Sequence, residues 1–334
     1  MREDFRTISN SNVRLIKPRS PFVSSPYTDM FKGLSNISKT PFKGIVGLTS
    51  FSKLFSYSWF RPLVLLVVAL LMILLGNDSS LQNSLANGLL IVGLVVVGIP
   101  HGAIDHLLDT GNWEFKKAPV FILKYLSLSA LMGAIWFFFP PLALLVFLAF
   151  SSWHFGQTDG KQWNFSPVIS FAWGCSVLFY IMGTHLSESN SILLSMASIA
   201  LPVHCPVWAM LPWLLWAIYR KQSSLVLTVV WLMLSSQVSL LLAFGLYFIG
   251  QHSLTGWQHL HSHLKLSHKT IWLHSVPFHV GAWLLMALFF YLWPTLKVSN
   301  DFNFWSLFFI FTACLSFPHT INMNTIYRGK TNNI

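Results

Sequence analysis

The chain has 334 residues, of which 54% are hydrophobic and only 9% charged, with a net charge of +11. Soluble domains usually carry about 25% charged residues, so the composition excludes an ordinary soluble protein. It does not suggest nucleic acid as a partner either. Nine of the 21 Lys and Arg lie in the first 56 residues, the others punctuate apolar runs, and no zinc-finger or aromatic–basic RNA motif is present.

Residues 1–56 read as a basic polar tail, disordered or lying on a membrane surface, with anionic lipid as its partner. They hold no continuous apolar run after a basic start, so no cleavable leader is expected. Residues 57–334 read as one all-α, polytopic transmembrane bundle of eight to ten spans. Ten are marked by apolar runs: about 61–76, 85–106, 119–139, 141–157, 166–183, 205–219, 223–236, 237–262, 272–293 and 303–322. Several fall short of the roughly 20 residues needed to cross the hydrocarbon core, and 205–219 and 223–236 are the weakest. Pro140-Pro141 separates the third from the fourth, because proline ends a helix and restrains the residue before it. With ten spans and both termini in the cytoplasm, 20 Lys and Arg fall inside and only Lys297 outside, as the positive-inside rule requires. Cys175, Cys205 and Cys314 are far apart, so no disulfide framework or thiolate metal site is expected.

Four motifs carry the chemistry. In chain order they are Gly98-Ile99-Pro100-His101-Gly102-Ala103-Ile104-Asp105-His106, Trp153-His154-Phe155-Gly156-Gln157-Thr158-Asp159, Gly250-Gln251-His252-Ser253 and Phe317-Pro318-His319. Each sits late in a span that runs from outside to inside. At about 1.5 Å per residue, His101, His154, His252 and His319 lie about 20–24 Å from the outer ends of their spans. Ionisable groups at that depth are costly and usually face a bundle interior, and neutral imidazole is a ligand for Fe, Zn, Cu and Ni. One such His is ordinarily an interfacial or capping residue; four at one depth argue for a metal site. Asp105 stands four residues after His101, on the same face of a straight helix, where it could orient a ligating ring. Asp159 is the other acid beside these motifs. Trp153 and Phe155 flank His154 and either line an apolar substrate pocket or simply pack. His259, His261, His263, His268 and His274 read as a solvated inner boundary, and His185 and His204 as part of an outer loop.

In order and spacing, these motifs resemble the Brp/Blh family of bacterial β-carotene 15,15′-dioxygenases over roughly residues 85–330. The resemblance implies an enzyme of the bacterial inner membrane that uses Fe(II) and molecular oxygen. Its substrate would be β-carotene taken from the lipid phase, split at the central double bond into two retinals. A retinal-binding rhodopsin is the partner such a product suggests. It also implies His101, His154 and His252 as iron ligands. A further family ligand falls four residues after His252, where this chain has Gly256. His319 is the preferred replacement, and His259, about 10.5 Å beyond His252 on a straight helix, the less favoured one. No nucleophile or acid–base pair separate from the metal site is visible, and Asp105 and Asp159 suit the orientation of ligands. The rival readings are a lipid oxygenase or desaturase with iron, a metal or proton transporter, and a non-catalytic assembly factor for a retinal protein.

Overall fold

The computed structural model describes residues 58–76, 80–110, 115–292 and 304–327. The basic tail, residues 1–56, lies outside them. The described residues are helical, with no strand among them. In chain order the helices are α1 (Phe60–Leu75), α2 (Ser80–Gly93), α3 (Ile99–Gly102), α4 (Asp105–Thr110), α5 (Ala118–Phe138), α6 (Pro140–Trp163) and α7 (Pro167–Thr184). They continue with α8 (Leu186–Ala197), α9 (Leu211–Tyr219), α10 (Ser223–Ser235), α11 (Leu240–Gly245), α12 (Leu254–Leu264), α13 (His268–Leu292) and α14 (Phe304–Tyr327). Two π segments are inserted, Leu94–Gly98 between α2 and α3, and Leu246–Ser253 between α11 and α12.

Local sequence sets several boundaries. The chain extends at Phe139, and Pro140 and Pro141 open α6, where their missing N–H groups cost nothing. Ser166 caps α7 by accepting the Ile169 N–H, with Pro167 at the first helical position. Asn164 and Lys265 close α6 and α12 in the left-handed conformation.

Among the described residues, five helices are long and apolar enough to cross a membrane: Asn83–Leu108, Ala118–Phe138, Pro167–Thr184, His268–Leu292 and Phe304–Tyr327. Three expected spans form shorter apolar helices, Phe60–Leu75, Val207–Tyr219 and Ser223–Ser235. Three expectations need correction. The span expected to end at 157 runs on to Trp163 and takes Asp159 inside the helix. The expected outer loop contains α8, which buries Ile192, Leu193 and Met196. His185 is buried, with Nδ1 2.8 Å from the Ile181 carbonyl and Nε2 2.8 Å from the Val238 carbonyl, so it ties α7 to the turn before α11.

Polar groups face inward and apolar ones outward. Leu74, Val120, Val168 and Leu284 are exposed, whereas His101, Asp105, His154, Asp159, Gln251, His252 and His319 are buried. That inversion suits a protein whose solvent is lipid. The tightest crossing joins α6 to α7. A Cβ placed on Gly156 would fall 1.8 Å from the Ser170 carbonyl oxygen, and one on Gly174 would fall 1.8 Å from that of Ser152. Gly160 meets Ser170 in the same way. The small residues Ser152, Gly156 and Gly160 therefore interlock with Ser170 and Gly174, backbone against backbone. This contact fixes α6, which carries His154 and Asp159.

Candidate metal centre

Four elements deliver four imidazoles to one place. His101 comes from α3 just after the first π segment, His154 from the middle of α6, His252 from the second π segment and His319 from α14. One ring nitrogen each of His101, His154 and His319 lies within 4.8 Å of the others. Three nitrogens on one tetrahedral metal at about 2.1 Å are about 3.4 Å apart, so nitrogens at the 4.8 Å limit would close by about 1.4 Å on binding. His252 stands beside it, with ring centroids 4.7 Å from His154 and 5.6 Å from His101. Phe155, centroid 4.3 Å away, and Phe248 wall His252 on its other sides.

The hydrogen bonds fix which nitrogens remain for a metal. His101 Nδ1–H donates to the Gly98 carbonyl, and His319 Nδ1–H donates to Asp105 Oδ1 at 2.8 Å. Both acceptors need a proton on Nδ1, so each ring presents a bare Nε2 lone pair. Those two Nε2 atoms, and both nitrogens of His154 and His252, are buried without a hydrogen-bond partner. Six orphaned nitrogens in one buried site would be a large penalty in a finished fold. A borderline cation that takes one nitrogen from each neutral imidazole relieves four of the six, so the donor set fits iron or another first-row metal.

Asp105 orients one of the four rings, that of His319. The α-helix breaks at Ala103-Ile104, and Asp105 begins α4. Its carboxylate therefore leaves the His101 face and meets His319, 214 residues away. A carboxylate on a ligating His fixes the ring and strengthens it as a donor, and loss of such a partner typically weakens metal binding about 10–100-fold. Asp105→Asn is expected to lower metal affinity within that range while the fold persists, as read by metal titration of the purified protein. Unchanged affinity would remove Asp105 from the site.

Asp159 touches none of the four rings. Its Oδ2 accepts from Trp173 Nε1 at 2.9 Å and Tyr247 Oη at 2.8 Å, and its Oδ1 from Gln251 Nε2 at 3.3 Å. It thus braces α7 and the second π segment next to His252. Trp153 is half-buried and packs against Phe171 of α7, with centroids 6.3 Å apart, rather than against the imidazoles. His259 bonds elsewhere. Thr158 Oγ1 donates to the His154 carbonyl, so the Tyr327 hydroxyl donates to Thr158 at 3.0 Å and accepts from His259 Nδ1–H at 3.3 Å. Gly256 faces the cluster: a Cβ there would sit 3.5 Å from His101 Cδ2 and 3.9 Å from Thr158 Cγ2, ordinary contact distances. At the inner boundary His261 and His268 stack 4.0 Å apart, and Trp257 donates to His268. The polar supports Gln157–Asn324 and Arg61–Thr255 have no sequence signal beyond a polar residue inside an apolar run.

The family of beta-carotene 15,15′-dioxygenases matches residues 92–327, which contain all four histidines. The chain belongs to this family. A relative in Halobacterium salinarum, the probable beta-carotene 15,15′-dioxygenase Blh, is 39% identical over 74 residues. That match covers 21% of the chain and 21% of the relative, so the chain spans about a fifth of that protein's length. No solved structure matches the chain.

Proposed function

We propose that this chain cleaves the central double bond of β-carotene to give two retinals, at an iron held by His101, His154, His252 and His319. The observation that carries the reading is the set of six unpartnered imidazole nitrogens, buried at one point of a chain in the dioxygenase family. Bound iron would supply the redox chemistry by which both atoms of dioxygen convert one C=C bond into two aldehydes.

The protein's own residues do the remainder. Gly98 and Asp105 hold two rings in the tautomer that offers Nε2. Asp105 also supplies, through His319, negative charge to a site whose ligands are otherwise neutral. Phe155 and Phe248 keep water from His252 and present apolar surface to a polyene arriving from lipid. No residue is required as a separate nucleophile or general acid. Expression in cells that make β-carotene should yield retinal, identified by chromatography. Cells that keep their β-carotene while producing folded, iron-loaded protein would sink the reading and favour an assembly role.

The same reading places the enzyme in the bacterial inner membrane, with ten spans and both termini in the cytoplasm. The Lys and Arg distribution supports it, and so does the inward-facing polar interior. Reporter fusions after Arg220 and at the C-terminus should report inside, and one near Glu188 outside. A C-terminus found outside would overturn the span count.

A further inference from the structure

Helix α1 lies outside the family match, which begins at residue 92, yet it touches the chain on both sides of His252, at Gly250 in the second π segment and at Thr255 in α12. On the near side, Leu65 fills the notch at Gly250, where a Cβ would fall 2.3 Å from Leu65 Cδ2. On the far side stands Arg61, one turn earlier in α1 and only 7% exposed. Its Nη1 donates to Thr255 Oγ1 at 3.0 Å, and its Nη2 to Gln162 Oε1 at 3.1 Å. Thr255 Oγ1 in turn donates to the Gln251 carbonyl. Gln251 continues to Asp159, which also interacts with Arg61 through its charge.

Burying a guanidinium is costly even after relaxation, and Arg61 has no carboxylate in direct contact among the described residues. A lysine would keep the charge but could not bridge two acceptors with a rigid fork. The fork joins Thr255 on α12 to Gln162 on α6, which also carries His154. Resting on the metal reading above, we infer that Arg61, seconded by Leu65, is a positioning residue that holds the Leu246–Ser253 segment in its π turn and so aims His252 at the other three imidazoles. A π turn contains one more residue than an α turn. If the segment relaxed to α, every residue after the relaxed turn would rotate by roughly 100°, and His252 could not stay aligned with both Leu65 and the cluster.

The test uses the full-length protein in lipid nanodiscs, with Co(II) as the probe. Visible absorption reports the coordination of bound Co(II), and a competing chelator gives the affinity. Arg61→Met keeps the apolar stem and removes the fork. It should lower Co(II) affinity about tenfold, the lower end for groups that support metal ligands, and change the absorption bands. Helix content should be retained. Arg61→Lys should recover part of the affinity. Thr255→Val cuts the same link from the other end, and the double variant should lose no more than the worse single one, because both remove one interaction.

Wild-type affinity and absorption in Arg61→Met would overturn the inference, as would losses that add in the double variant. If Arg61→Met does not fold, Thr255→Val decides alone, and unchanged Co(II) absorption there overturns it. A wild-type protein that takes up no Co(II) would overturn the metal reading itself. Wild-type uptake matched by every variant would overturn only the positioning role.

Discussion

His319→Ala is expected to lower metal affinity by at least about a hundredfold, the upper end for groups that merely support a ligand, and to abolish retinal formation. The ring lies 5.0 Å from His101 and 4.9 Å from His154, centroid to centroid, and presents a bare Nε2. His101→Ala, His154→Ala and His252→Ala should do the same. Gly256→His in the His319→Ala background should return part of the lost binding. Position 256 has room for a Cβ beside His101, and it follows His252 by about one helical turn. His259→Ala should leave metal content nearly unchanged, because its Nδ1 is engaged by Tyr327. Metal content can be read directly by elemental analysis of the purified variants. Iron lost in His259→Ala and kept in His319→Ala would move the site to the inner boundary.

The second large effect comes from a methyl group. Gly156→Ala places a carbon 1.8 Å from the Ser170 carbonyl oxygen, and the obstacle is backbone, not a side chain that can rotate. Helices α6 and α7 would have to separate along their whole crossing. Overpacking typically costs about 1–3 kcal/mol and occasionally more, and a backbone collision belongs at or above about 3 kcal/mol. Because α6 carries His154, metal affinity should fall with stability. Gly102→Ala is the control, since its Cβ would rest at 3.6 Å from His319 Nδ1, an ordinary contact. Thermal unfolding in detergent should separate the two clearly. A Gly156→Ala protein as stable as the wild type would mean that α6 and α7 are not in backbone contact.

The helical class and most helix positions were legible because apolar runs bounded by proline and basic residues report them directly. Pro140-Pro141 opens α6 as expected. The juxtaposition of His101, His154, His252 and His319 was legible too, from depth along the spans. The partners of the carboxylates were not. Straight-helix spacing put Asp105 on the His101 face without naming the ring it would orient, and the break at Ala103-Ile104 sends it to His319. Periodicity assumes an unbroken α-helix, and neither this break nor the two π segments leaves a hydropathy signal. Helix α8 was missed because 12 residues of mixed polarity look like a loop. Arg61 looked like one more basic residue flanking a span; only the fold shows that it turns inward. Gly156 and its partner Gly174 lie in different spans, and no local pattern links them.

The Asp105–His319 bond joins residues 214 apart in the chain, and that separation bears on how the protein is made. Synthesis delivers Asp105, His154 and His252 to the membrane long before α14 emerges from the ribosome. Until then the growing bundle holds an acid without its histidine and three imidazoles in apolar surroundings, a costly arrangement. The closing helix brings His319, which answers the acid and completes the ring of donors in a single docking step. A metal held by all four rings would therefore bind only after α14 has docked.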